Sequence, residues 1–325
     1  MKSNLPKPFN LAFLGCGYAT RLHSRTLSRF RQDVRCYYAS RGPAKALEYQ
    51  QTYQGAGHFD SYETAIDSDE IHVIFVATPP RFHLDLTLKA LAAGKHVIVE
   101  KPPFLHSTDF TQVHQLQQST GCQVLVAENY YYKPLALTLR QIIQRGDIGD
   151  ILFIYVNALK QQVNTDWRQD PDLAGAGALF EGGVHWINFI SHLGLTVKSM
   201  TGVPPVSDAS LERSILVTVT YEEGGVGSLY HSWEIPSLFQ GLRLSAIFGR
   251  EGRIRFESNG LFVLVTGKKP QLIPAPGITD IAGYRGMFAD FIQALQTGTP
   301  PQMTWEKAQQ DLHWIEKVYE SGYNS

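Results

Sequence analysis

The feature that most limits how this chain can fold is an apolar run that ends abruptly in glycine. Phe9 to Gly15 (FNLAFLG) leads into Cys16-Gly17-Tyr18-Ala19-Thr20, and Arg21 to Phe30 can then form a helix. A short strand, a tight glycine turn and a helix in that order open a dinucleotide-binding unit. The first glycine permits the turn and the second lets backbone approach a pyrophosphate; the third position, usually glycine for close helix packing, is Thr20 here. Free N–H groups at the helix start attract the anion, so Gly15, Cys16, Gly17, Tyr18 and Ala19 are the expected cradle. A plain glycine turn has the same local spelling; the flanking strand and helix favour the nucleotide.

The alternation continues. Strand-like runs at 34–39, 57–59, 71–78, 96–100 and 123–127 are separated by helical stretches at 44–54, 61–67, 81–93 and 107–119. Such a pattern predicts an α/β domain, a doubly wound parallel sheet with helices on both faces, closing near residue 128. Strand 34–39 lacks the acid that would hold a ribose 2′-hydroxyl, and is followed instead by Ser40 and Arg41. A hydroxyl and a guanidinium suit a 2′-phosphate, which favours NADP with NAD as the second possibility. A surface turn at Gly42-Pro43 accounts for the same two residues.

The run His96 to Pro102 (HVIVEKP) reads as a buried strand ending in Glu100, Lys101 and a proline. Ligands of parallel sheets lie beyond the strands' carboxyl ends, so Lys101 would stand at the rim of the crevice, able to exchange a proton with a substrate. A strand-end lysine in water is the bland alternative. After residue 129 the texture changes to longer β-rich runs at 150–160, 213–221, 226–235, 242–248, 253–257 and 261–266, with turns at Glu223-Gly224-Gly225 and Arg250-Glu251-Gly252. A second α/β domain, 129–325, with a mostly antiparallel sheet is expected. Trp305 to Glu320 places Ala308, Leu312, Ile315 and Tyr319 on one helical stripe.

Between these runs lies Gly175-Ala176-Gly177 and then ALFEGGVHWINFISHLG. If Leu179 to Leu193 is one helix, Glu181 and His185 are four apart on one face, and the carboxylate can orient the imidazole. Such a pair also occurs as a surface or core detail.

Composition narrows the partners. Lys plus Arg (29) nearly cancel Asp plus Glu (30), so no net field draws the chain to nucleic acid or an anionic membrane. Cys16, Cys36 and Cys122 lack metal-ligand spacing and are odd in number, which argues against a disulfide framework or a zinc site and fits a reducing, cytoplasmic setting. No apolar run is long enough to span a bilayer. Across 325 residues, with 43% hydrophobic content, two domains and a small-molecule substrate are expected.

Along nearly its whole length the chain resembles the glucose-fructose oxidoreductase / inositol dehydrogenase / MocA family. The pieces that carry the resemblance are GCGYAT with His23 downstream, VATPPRFH ending at His83, AAGKHVIVEKP, WRQDPDLAGAGALFEGGVH and a C-terminal helix pair. The resemblance implies a Rossmann domain, an open-faced C-terminal α/β domain, a homo-oligomer (dimer or tetramer), and NAD(P)-dependent oxidation or reduction of a sugar, cyclitol or related polyol. It marks Lys101 and His185 as the catalytic pair, with Glu181 orienting His185. Thr78, Pro79, His83, Glu100 and Lys101 join the cofactor contacts, and Asn129, Tyr130, Trp167, Arg168 and His185 the substrate contacts. The family's aspartate four residues before the histidine is Glu181 here, and a frequent aspartate three after it is Asn188. Two other readings keep the nucleotide: a hydrolase or lyase that oxidises transiently with retained NAD, and a non-catalytic NADP sensor.

Overall fold

The computed structural model describes residues 5–163, 167–205, 211–236 and 241–323. The chain divides into two compact units, one comprising Met1–Ala127 with Tyr284–Gln309, the other Glu128–Gly283 with Gln310–Ser325.

In the first unit β1 (Phe9–Leu14), β2 (Val34–Ala39), β3 (Gly57–Phe59), β4 (Val73–Val76), β5 (His96–Glu100) and β6 (Val124–Ala127) form one sheet in the order β3-β2-β1-β4-β5-β6. Every pairing in it is parallel. Helices α1 (Tyr18–Leu27), α2 (Pro43–Tyr53), α3 (Tyr62–Asp67), α4 (His83–Ala92) and α5 (Phe110–Thr120) make the crossovers. Strand β4 is buried at all four residues, as an unbroken VIFV run between two helical layers must be. Phe13 of β1 stacks on Phe75 of β4 at 4.8 Å and on Tyr38 of β2 at 5.7 Å. Strand order reverses between β1 and β4, which opens a crevice at their carboxyl ends.

The second unit is built on an eight-stranded sheet. Its strands are β7 (Ile151–Leu159), β8 (Val197–Val203), β9 (Ser214–Tyr221), β10 (Val226–Ser232), β11 (Leu244–Gly249), β12 (Gly252–Glu257), β13 (Phe262–Thr266) and β14 (Gln271–Pro274), in the order β14-β13-β12-β11-β7-β10-β9-β8. The pair β7 and β10 is parallel and the others antiparallel. Alternation sends Ile154, Val156, Val217, Leu229, Ile247 and Phe256 into the core. Helices α6 (Pro134–Gln144), α7 (Pro171–Ala174) and α8 (Val184–Ser191) belong to this unit.

The structure departs from the sequence reading at three points. Strands β8 and β14 were not expected, because VKSMTGV and QLIP lack a clear alternation of apolar residues. The chain also returns to the first unit through α9 (Tyr284–Thr297) and the start of α10 (Trp305–Tyr323), which a single division near residue 128 does not anticipate. And Leu179 to Leu193 is not one α-helix: Leu179–Gly183 is a π turn, and α8 begins only at Val184. Among the described residues no helix is long and apolar enough to cross a membrane.

Candidate active site

The first unit carries the glycine loop. Gly15 has φ +108°, and a Cβ there would lie 2.6 Å from the Ala77 carbonyl oxygen, so the turn pressed against the exit of β4 admits only glycine. Gly17 is different: a Cβ there would meet nothing within 4 Å. Gly17 is also the N-cap of α1 and supplies no side-chain cap, which leaves first-turn N–H groups available to an anion. Thr20 takes the place of the third glycine by donating its hydroxyl to the Gly15 carbonyl at 2.6 Å. Beyond β4 the Thr78 hydroxyl is buried without a hydrogen-bond partner. Open space at Gly17, an uncapped helix start and an orphaned hydroxyl at the next strand's exit fit a nucleotide pyrophosphate and its ribose.

Around this loop several expected residues have structural partners. The Ser40 hydroxyl donates to the Gly42 carbonyl within the turn that starts α2, while Arg41 is exposed. His83 is fully buried, its Nδ1 2.9 Å from the Pro102 carbonyl and its Nε2 2.7 Å from the Thr78 carbonyl, so the ring ties the exits of β4 and β5 together. Burial moves its pKa down, against the pull of two carbonyl acceptors. Glu100 pairs with the buried Nε2 of His23 and accepts the Lys101 backbone N–H at 3.0 Å. Burial alone would push the Glu100 carboxyl up, but His23 and Lys101 bring it below the usual range. The His23 ring is fixed by Phe75, Tyr284 and Phe288 at 4.8, 5.5 and 5.3 Å. Lys101 therefore follows a strand end held through Glu100 to His23, with a cis peptide bond to Pro102.

The second unit carries His185, in the first turn of α8. Its carboxylate partner is Glu128, not Glu181: His185 Nδ1 lies 2.7 Å from Glu128 Oε1 and 2.9 Å from Oε2. Glu181 instead accepts from Arg168 Nε at 2.9 Å, and the Arg168 guanidinium lies over the Trp167 ring at 4.5 Å. The i,i+4 expectation presumed a regular α-helix, whereas Glu181 sits in the wider π turn. Gly182 and Gly183 allow that turn to pack, since a Cβ would lie 2.8 Å from Trp233 at the first and 2.7 Å from Leu179 at the second. Glu212 holds its start, accepting from the Leu179 N–H and, at 3.0 Å, from the Tyr319 hydroxyl.

Tyr130 stacks on His185 with centroids 4.4 Å apart and planes at 14°. Glu128 also accepts the Tyr130 N–H at 2.9 Å. Asn129 is buried and donates to the Ala282 carbonyl at 2.6 Å, which fixes the turn from Glu128 to Lys133. Asn188 donates to Asp311 at 2.7 Å, and Asp311 also receives His192, so α10 supplies the acid that Asn188 lacks. The structure thus brings Glu128, Tyr130 and His185 together and pairs Glu181 with Arg168, which lies over Trp167. The sequence signal for Glu128 is an acid one residue past a buried strand, the place that Lys101 occupies after β5.

A carboxylate is an acceptor, so Nδ1 of His185 donates to Glu128, and in the neutral form of the ring the lone pair is on Nε2. Nε2 makes no hydrogen bond among the described residues. That is the arrangement of a general base whose tautomer is fixed by its neighbour.

Comparison with known proteins identifies the family. Residues 9–128 match the oxidoreductase family with an NAD-binding Rossmann fold, and residues 136–255 match the GFO/IDH/MocA C-terminal domain. Oxidoreductase P35 of Formosa agariphila is 22% identical over 85% of this chain and 90% of its own. D-xylose 1-dehydrogenase (NADP(+)) 2 of Haloferax volcanii is 22% identical over 87% and 88% of the two chains. A levoglucosan dehydrogenase solved with NADH and levoglucosan superposes with a TM-score of 0.83 at 22% identity, over 96% of each chain. With both of its domains matched in sequence, the chain belongs to the Gfo/Idh/MocA family of oxidoreductases.

Proposed function

We propose that the protein is an NAD(P)-dependent dehydrogenase or reductase of a sugar, cyclitol or related polyol, with NADP(H) preferred. The observation that carries the reading is the His185 imidazole, its Nδ1 held by Glu128 and its Nε2 left as a base. When bound, the nicotinamide supplies the hydride acceptor or donor. Gly15, Gly17 and the first turn of α1 would hold the pyrophosphate, and Thr78 a ribose or phosphate oxygen. His185 takes the proton of the substrate hydroxyl at Nε2, and the anion of Glu128 stabilises the imidazolium that forms. Lys101, at the exit of β5, is the other group this reading assigns to proton exchange or polarisation. The Arg168 and Trp167 pair is suited to sugar hydroxyls and ring faces, and Arg41 to a 2′-phosphate.

Relatives named for D-xylose and levoglucosan support the substrate class, and the NADP(+) in the former's name supports NADP. Self-association is supported by the second unit's open sheet face, and the three free cysteines suit a reducing cytoplasm. The test is a panel of sugars and cyclitols assayed with NADP and NAD side by side. His185→Asn should lower turnover by roughly 10²- to 10⁴-fold. Arg41→Ala should weaken NADP(H) alone, by on the order of 1.5 to 3 kcal/mol. Equal affinities for the two nucleotides in the parent would overturn the cofactor preference, and full activity of His185→Asn the assignment of the base.

A further inference from the structure

The turn that supplies Glu128 and Tyr130 to His185 ends in a buried lysine that the mechanism above does not use. Lys133 is 4% exposed. Its position is over-determined: it precedes Pro134, which restricts its backbone to the extended region it adopts (φ −56°, ψ 130°), and its N–H donates to the Tyr130 carbonyl at 3.2 Å. Gly283, at φ +81°, packs so closely on this turn that a Cβ would lie 2.6 Å from the Asn129 carbonyl and 2.7 Å from the Lys133 nitrogen. The Lys133 ammonium donates to the Ser258 carbonyl at 3.3 Å and lies 4.2 Å from the centroid of the Tyr130 ring. That ring is the one stacked on His185. Trp186, next to His185 on α8, meets Tyr130 edge-on at 5.1 Å and has the same ammonium 5.8 Å from its centroid.

A cation over an aromatic face holds the ring in place and is itself held there, the more so where water is excluded. We propose that Lys133 is a positioning residue for His185: its ammonium fixes the Tyr130 ring, the ring fixes the imidazole plane, and loss of the charge releases both. The inference rests on His185 being the acid–base residue. The charged and titratable groups facing Lys133 are Arg243, which opposes its charge, Glu257 and Glu128, which favour it, and the Tyr130 phenol, itself pushed up to about 12 by burial. Burial and Arg243 outweigh the two carboxylates and bring the Lys133 ammonium down to about 8. The switch from held to released therefore falls just above neutral pH.

The test reads the alkaline side of the pH profile. In the parent, kcat/KM should fall through a limb centred near pH 8. Lys133→Arg keeps the charge at every working pH, so it should retain the neutral rate within about threefold and lose the limb. Lys133→Met should also lose the limb, running flat at the parent's high-pH level, about tenfold below the parent at pH 7. Folding is checked on the same proteins. The unfolded lysine titrates at 10.5 and the folded one at about 8, so the parent gains stability as pH rises through that window. Lys133→Met should be the more stable protein at pH 7 and lack this dependence. A readout without nucleotide comes from NMR of the parent: the Lys133 Cε and His185 ring resonances should move with one midpoint near pH 8. The proposal is overturned if either variant keeps the parent's limb, or if the His185 resonances do not follow Lys133. Activity surviving in His185→Asn would instead remove the acid–base reading, and the resonance coupling would still be decided by itself.

Discussion

Gly15 and Gly17 are the same residue type two positions apart, yet their environments ask different things of them. At Gly15 a methyl group would meet backbone at 2.6 Å with φ at +108°, so Gly15→Ala should cost roughly 1 to 3 kcal/mol of stability. At Gly17 the backbone is extended (φ −113°) and a methyl group would stand in open space. Gly17→Ala should therefore unfold within about 0.5 kcal/mol of the parent. Its methyl group would occupy the space where a pyrophosphate must approach, so its nucleotide affinity should drop sharply. Thermal unfolding and nucleotide titration on the two variants separate the roles, and parent-like binding by Gly17→Ala would show that the loop is not the cradle. Both glycines were legible in the sequence, but which one is structural and which is open to a ligand depends on the Ala77 carbonyl, a neighbour across the sheet.

At the scale of elements, the site of the second unit is made by two turns rather than by one helix face. The turn after β6 presents Glu128, Tyr130 and Lys133; α8 presents His185 and Trp186; the π turn before α8 presents Glu181 to Arg168. If Glu128 fixes the tautomer, Glu128→Gln should reduce turnover by on the order of 10²-fold or more, since the amide can donate to Nδ1 and leave the proton on Nε2. Glu181→Gln should cost less than about tenfold, and chiefly in KM, because it loosens Arg168 rather than His185. Steady-state kinetics on one confirmed substrate decides between them; the reverse order would return the orienting role to Glu181. Spacing along one helix could not have shown this, because Glu128 and His185 are 57 residues apart and meet only when the turn that begins at Glu128 packs on α8.

For the whole molecule, the second sheet has one face that the described chain leaves open. Cross-strand register places Phe153, Val226, Leu244, Leu264 and Leu272 on this face, all exposed and apolar, with Tyr230 and Val203 continuing it toward β8. Arg253 and Arg255 of β12 share the face, and exposed apolar residues gathered on one sheet face with a polar strand among them make a candidate association surface. We expect Phe153→Asp, at a position 60% exposed, to leave unfolding within about 0.5 kcal/mol and to shift the sedimentation profile toward monomer. Parent protein that sediments as a monomer throughout would remove the basis for a self-association surface.

Sequence alone determined the order of strands and helices in the first unit, the glycine loop and the strand-end lysine. Each is written in contiguous residues whose periodicity or backbone demands are local: VIFV must be buried on both faces, and Gly15 must turn. It also singled out His185 as a candidate, through the spelling of EGGVH. Only the tertiary structure decided what each polar group touches. Ser40 turned inward to its own loop, His83 became a tie between strands, and Glu100 met His23. Glu128 took the place expected of Glu181, and Asp311 supplied the acid beside Asn188. A hydrogen bond or ion pair is a short-range contact between groups that may stand a hundred residues apart in the chain, so its partner is fixed by packing and not by spacing.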